Sequence, residues 1–220
     1  MIQLKTMNKN ILKNRRLLSL FSVLLILGLF TYLDSSKVAF AIDDPLTVTL
    51  NVTSGIAITS PVDIAMSRNL TMAAMTAVGT TTWNVKTNNV TGYNLTIKAT
   101  STPAMTSGAN SVANYQTGAP NTWAVTSGAA AFGFSVFGSD VATATWGTGS
   151  SCSGAADVPS ASLKYMGFTT TTSTPVLANR VTTTAFAGTD TTVCLAVEQN
   201  AFYIPSGTYT ATIIATAVTI

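Results

Sequence analysis

The sequence predicts an all-β protein, an antiparallel β-sandwich of the Ig-like or jelly-roll type, behind an N-terminal export signal. Three observations carry that prediction. Residues 1–41 have the three-part layout of a signal peptide. Beyond them, apolar and polar residues alternate with period two in one segment after another. Roughly a fifth of residues 42–220 is threonine, a β-branched residue suited to a pleated, half-exposed surface.

The export signal comes first in the chain. Lys5, Lys9, Lys13, Arg15 and Arg16 make a basic leader, and residues 17–33 (LLSLFSVLLILGLFTYL) are an uncharged apolar run. Ala39 and Ala41 then stand at the two positions a signal peptidase reads, which places cleavage before Ile42. An uncleaved anchor is the competing reading, because the run approaches the roughly 17–25 residues a membrane span needs. Membrane contact is expected only in that case. Either way residues 42–220 form a single Thr-rich domain that is extracellular or on the cell surface.

Charge narrows the partners. Six of the 11 basic residues and one of the 8 acidic ones lie in residues 1–41. The remaining chain is slightly acidic and has no basic patch, so nucleic acid is not an expected partner. Cys152 and Cys194 are the only cysteines, and in an exported chain they are expected to pair.

The strands read as follows. Residues 46–53 (LTVTLNVT) alternate strictly and form the first strand, and 56–60 a short second one. Residues 62–79 look irregular. Residues 81–87 (TTWNVKT), the turn chemistry of 88–92 (NNVTG) and residues 93–100 (YNLTIKAT) make a β-hairpin. Its apolar face holds Trp83, Val85, Tyr93, Leu95, Ile97 and Ala99, and Thr96 and Lys98 point away. Residues 101–120 read as a long surface loop. Residues 122–125 and 132–136 echo the first hairpin. Further strands are expected at 141–146, 163–168, 181–186 and 191–198. A closing strand spans 208–220, with Tyr209, Ala211, Ile213 and Ala215 on one side.

Catalytic equipment is sparse. The chain has no histidine, so Ser–His and Cys–His nucleophile systems cannot be assembled, and a metal site lacks its commonest ligand. Asp140, Asp157, Asp190 and Glu198 are carboxylates in turn-like or strand-end contexts, without an acid–base motif. The chain is therefore expected to be no enzyme and to need no cofactor or metal. Glu198 reads as a strand-end rim residue. The sharper reading is an acid promoting a Lys–Asn cross-link with Lys86, Lys98 or Lys164. Trp83, Tyr93, Trp123 and Trp146 are either core aromatics or a sugar-stacking platform. The apolar neighbours of Trp83 and Trp123 favour the core.

Residues 82–99 (TWNVKTNNVTGYNLTIKA) resemble the first Trp strand and following Gly-aromatic strand of the WxL-type cell-surface domain. Residues 206–218 (SGTYTATIIATAV) are similar to that family's closing strand. The resemblance covers about a third of residues 42–220. It implies a β-sandwich attached non-covalently to the cell wall. Three features depart from the pattern. Val, not Leu, stands two residues after Trp83 and Trp123, the closing strand has no second Trp motif, and the cysteine pair lies outside it. No sortase-like tail follows Ile220, so covalent wall anchoring is not expected.

The expected function is thus a non-catalytic structural or adhesive protein of the surface, whose partners are cell-wall polymer, a glycan or other surface proteins. Two alternatives stand beside it. One is a pilus or coat subunit that self-associates by donating residues 46–53 as a strand. The other is a carbohydrate-binding module.

Overall fold

The computed structural model describes residues 19–27, 47–116, 118–171 and 175–220. It falls into two units, residues 1–51 and 52–220. In the first, residues 19–27 are helical and exposed, and residues 47–51 are exposed without secondary structure. No helix among the described residues is long and apolar enough to cross a membrane. Ala39, Ala41 and Ile42, where cleavage is expected, lie outside the described residues.

The second unit is an all-β sandwich. Its strands are β1 (Ile56–Thr59), β2 (Thr76–Thr87), β3 (Tyr93–Ala99), β4 (Met105–Ser107), β5 (Asn110–Asn114), β6 (Asn121–Thr122), β7 (Ala129–Gly138), β8 (Lys164–Tyr165), β9 (Ala178–Arg180), β10 (Thr189–Asn200) and β11 (Ile213–Thr219). The large sheet has the order β1-β2-β10-β7-β5-β4, the second sheet β11-β3-β9, and β6 and β8 form a small ribbon. All ladders are antiparallel except β5 with β7.

Period-two alternation decides what each strand buries. On β3, Tyr93, Leu95, Ile97 and Ala99 are at most 1% exposed, while Asn94, Thr96 and Lys98 point outward. They meet Trp83 and Val85 of β2, Phe132, Phe134 and Val136 of β7, and Val193 and Val197 of β10. Phe168 packs on both Phe132 and Phe134, with ring centroids 5.2 and 4.6 Å away. This is the main core.

The structure redraws several strands. Residues 81–87 and 93–100 are strands as expected, but not a hairpin: β2 lies in the large sheet and β3 in the second. Residues 88–92 are an arch between layers, so Trp83 and Val85 face Tyr93 and Leu95 across the core. Placed in opposite layers, the two apolar faces bury each other. The arch is fastened by Thr87, whose hydroxyl donates to the Gly55 carbonyl and accepts from the Asn89 amide. Gly92 closes it at φ +82°, and a Cβ there would overlap the Arg180 carbonyl.

Residues 47–55 form no strand despite their alternation, and all are exposed. Alternation makes a segment competent for a ladder without supplying a partner strand. β2 begins at Thr76, inside the stretch expected to be irregular, and 101–120 contains β4 and β5. Residues 122–125 and 132–136 are not a second hairpin, because β6 pairs with β8 while β7 pairs with β10 and β5. Thr143–Trp146 is a single helical turn, α1, not a strand. It ends at Gly147 (φ +91°), whose amide donates to the Thr143 carbonyl. Residues 181–186 form a loop after the short β9. Their backbone is taken by the arch: the Thr184 amide donates to the Thr87 carbonyl at 3.0 Å.

Candidate functional site

The outer face of the large sheet carries a second, smaller core. Its floor is made of small side chains, Ala131, Gly133 and Ser135 on β7 with Cys194 and Ala196 on β10. Gly133 cannot carry a side chain, since a Cβ would lie 2.7 Å from the Met166 carbonyl oxygen and 2.8 Å from the Tyr115 Cβ. Three rings occupy the space this leaves. Tyr115 and Trp123 stack at 4.4 Å, and Tyr165 meets Trp123 edge-on at 5.2 Å. Trp123 is half-buried, and its indole N–H donates to the Glu198 carboxylate at 2.6 Å. The Tyr165 hydroxyl accepts from the Ser160 amide and donates to the Cys152 carbonyl. Burial pushes its pKa from 10.0 up to about 12.

The Cys152–Cys194 disulfide is formed and ties the 147–160 loop to the middle of β10. It closes 42 residues of separation, worth about 4 kcal/mol in the chain-entropy picture.

The four aromatics singled out by sequence separate here. Trp83 and Tyr93 lie in the inter-sheet core, 7% and 0% exposed. Trp146 is also fully buried and donates its indole N–H to the Val176 carbonyl. Trp123 alone keeps partial access to solvent. A sugar-stacking ring needs an open π-face, and Trp123 already has Tyr115 on one face and its N–H engaged. Its geometry is that of a cover over the sheet.

The carboxylates do not converge. Asp140 accepts from the Tyr93 hydroxyl at 2.9 Å and pairs with Arg180 at 3.2 Å. Burial, and then the hydrogen bond to Asp140, push the Tyr93 phenol well above its ordinary range. Asp157 pairs with Arg68, and Asp190 accepts from the Asn84 amide. Asp190 and Glu198 share β10 but are roughly 27 Å apart along it. The lysines of the cross-link reading do not gather at Glu198. Lys164 donates to the Ala144 carbonyl, Lys98 lies in the second sheet, and Lys86 lies roughly 33 Å along β2 from Thr76, the residue opposite Glu198. Among the described residues, no three His, Cys, Asp or Glu side chains form a cluster that could hold a metal. A depression of about 270 Å³ is lined by Phe137, Val141, Thr143, Thr148, Ser150 and glycines, without an ionisable group.

One end of the sandwich is different. The arch and the 181–188 loop lie together there and expose apolar side chains: Val90, Val181 and Phe186, the last 98% exposed. Lys86 places its ammonium 5.7 Å from the Phe186 ring centroid. An apolar cluster at a loop end can contact a partner surface but holds no reactive group.

No family model, curated protein or solved structure matches the chain.

Sequence reading missed Tyr115 and Tyr165 as partners of Trp123. The usable signal was the run AFGFSV, in which large residues alternate with Gly, Ala and Ser rather than with polar ones. That pattern marks a strand covered on both faces. The Asp140–Arg180 pair, 40 residues apart in sequence, left no local signal.

Proposed function

We propose that this chain is an exported, non-catalytic structural or adhesive protein of the cell surface, held to the envelope by non-covalent contacts. The observation that carries the reading is the disulfide, buried in a strand sandwich, in a chain whose first 41 residues have the basic, apolar and small-residue layout expected of an export signal. Cystines persist in oxidising compartments and are rare inside cells. The resemblance of 82–99 and 206–218 to WxL-type domains supports cell-wall polymer as the contact. The exposed end formed by Val90, Val181 and Phe186 is the surface that would make it.

Fractionation of the producing cells tests export. The expected result is a chain beginning at Ile42, in the medium or the wall fraction, with no free thiol under denaturing conditions. A chain beginning at Met1 in the cytoplasm, with two free thiols, overturns the reading. Retention of purified protein on cell-wall material tests the adhesive part. Phe186→Ser is expected to weaken retention without changing the melting temperature, and unchanged retention removes the loop end from the proposal.

A further inference from the structure

We propose that residues 47–53 of one copy add as a strand to the free edge of β11 in the next copy, closing a seam between β11 and β1. The proposal goes beyond the surface role and does not depend on what the loop end binds.

The acceptor is an unprotected edge. β11 pairs only with β3, and its other side carries no partner among the described residues. Edge strands are usually blunted by charge, proline or a bulge, yet residues 208–220 contain no charged residue and no proline. The seam beside it is apolar and incompletely covered. Ile213, Ala215 and Ala217 are only partly buried, whereas Ala99, Ile97 and Leu95, paired with them on β3, are at most 1% exposed. β1, the edge of the large sheet, adjoins β11, and its inward Ile56 and Ile58 are likewise only partly buried.

The donor matches this seam in length, period and charge. Residues 47–53 (TVTLNVT) are seven residues, as many as β11. Val48, Leu50 and Val52, which would share one face of an extended strand, are 82%, 83% and 74% exposed. Thr47, Thr49, Asn51 and Thr53 form the other. As an added strand, the segment would use its backbone on the β11 edge, turn Val48, Leu50 and Val52 into the seam, and leave the polar face in water.

The root of the segment is fixed at the arch. The Asn88 side chain donates to the Thr53 carbonyl at 2.8 Å and accepts from the Gly55 amide at 2.6 Å. Such strand addition joins unlike surfaces, the segment of one copy and the β11 edge of the next, so it builds multi-copy assemblies: head-to-tail chains or rings, or a dimer where two copies exchange segments.

Light scattering after size separation of the exported protein, at rising concentration, tests this. The wild type is expected to grow in whole-copy steps. Leu50→Asp is expected to stay at the single-copy mass, with a melting temperature within about 2 °C of that of the wild type's single-copy fraction, as for an exposed site. A synthetic peptide of residues 46–55 should bind the Leu50→Asp protein and slow amide exchange in 213–219, while the same peptide carrying Asp for Leu50 should do neither. Three results overturn the proposal: a wild type that stays single-copy at every concentration, assembly undiminished in Leu50→Asp, or a single-copy wild type with residues 47–53 protected, which means closure by its own segment. Assembly lost in Phe186→Ser but kept in Leu50→Asp would assign the joint to the loop end and also overturn it.

Discussion

β10 and β11 are both Thr-containing strands of one sandwich, and they are built to opposite specifications. β10 has ladder partners on both sides and is buried on both faces, Val193 and Val197 in the inter-sheet core and Cys194 and Ala196 in the second cluster with Tyr115, Trp123 and Tyr165. Among the described residues β11 has one ladder partner, and its inward face is only partly buried. The sequences record the difference: VCLAV in β10 is an unbroken apolar run, as a doubly covered strand requires, while ATAVT in β11 keeps a wet side. Stability is concentrated at the first strand, and surface available for contact at the second.

The largest effect that breaks this comparison is loss of a buried ring from the core that β10 shares. Phe134→Ala or Trp146→Ala should cost about 3–5 kcal/mol. Ile213→Ala on β11 should cost about 1–2 kcal/mol, because its side chain is only partly buried. Urea unfolding of the three variants measures both, and equal losses would erase the distinction. Next is the staple on the outer face. Replacing Cys152 and Cys194 together by Ala should lower stability by about 4 kcal/mol in the chain-entropy picture. The same loss should appear on reducing the wild type.

Alkali sharpens the contrast further. Tyr165 has its folded-state pKa raised from 10.0 to about 12, chiefly by burial, and Tyr93 moves in the same direction. A raised phenol pKa means that the fold favours the neutral form. That contribution is fully present below pH 10 and is lost as pH rises through about 12. For Tyr165 it is on the order of 2–3 kcal/mol. Unfolding followed between pH 9 and 12 should show a decline that is shallower in Tyr165→Phe; an identical decline removes Tyr165 as its source. The smallest effect is a gain. The Thr191 hydroxyl of β10 is buried and has no hydrogen-bond partner among the described residues, so Thr191→Val should raise stability by about 1 kcal/mol, read as a higher urea midpoint.

Much of the fold was legible because strand period and burial coincide. Alternation puts Trp83, Val85, Leu95 and Ile97 on an apolar face, and all are in the core. Their placement in two different sheets was not legible, since NNVTG serves a hairpin or an arch equally well. The choice is made by Gly55, Arg180 and Thr184, which are distant in sequence. Trp123 was misplaced on a strand because it echoed Trp83. Its neighbour Asn121 pairs with Tyr165, and the chain then turns Trp123 onto the floor around Gly133. Residues 46–53 show the converse limit. Their alternation is as regular as that of β3, yet a strand exists only where another backbone meets it.

Amide hydrogen exchange across the whole sandwich, at low and high protein concentration, tests the contrast most directly. Residues 189–200 and 129–138 should exchange slowest and without regard to concentration. Residues 213–219 should exchange faster in dilute protein and gain protection together with 47–53 as concentration rises. Protection of β11 equal to that of β10 at every concentration, with 47–53 always open, would contradict the account.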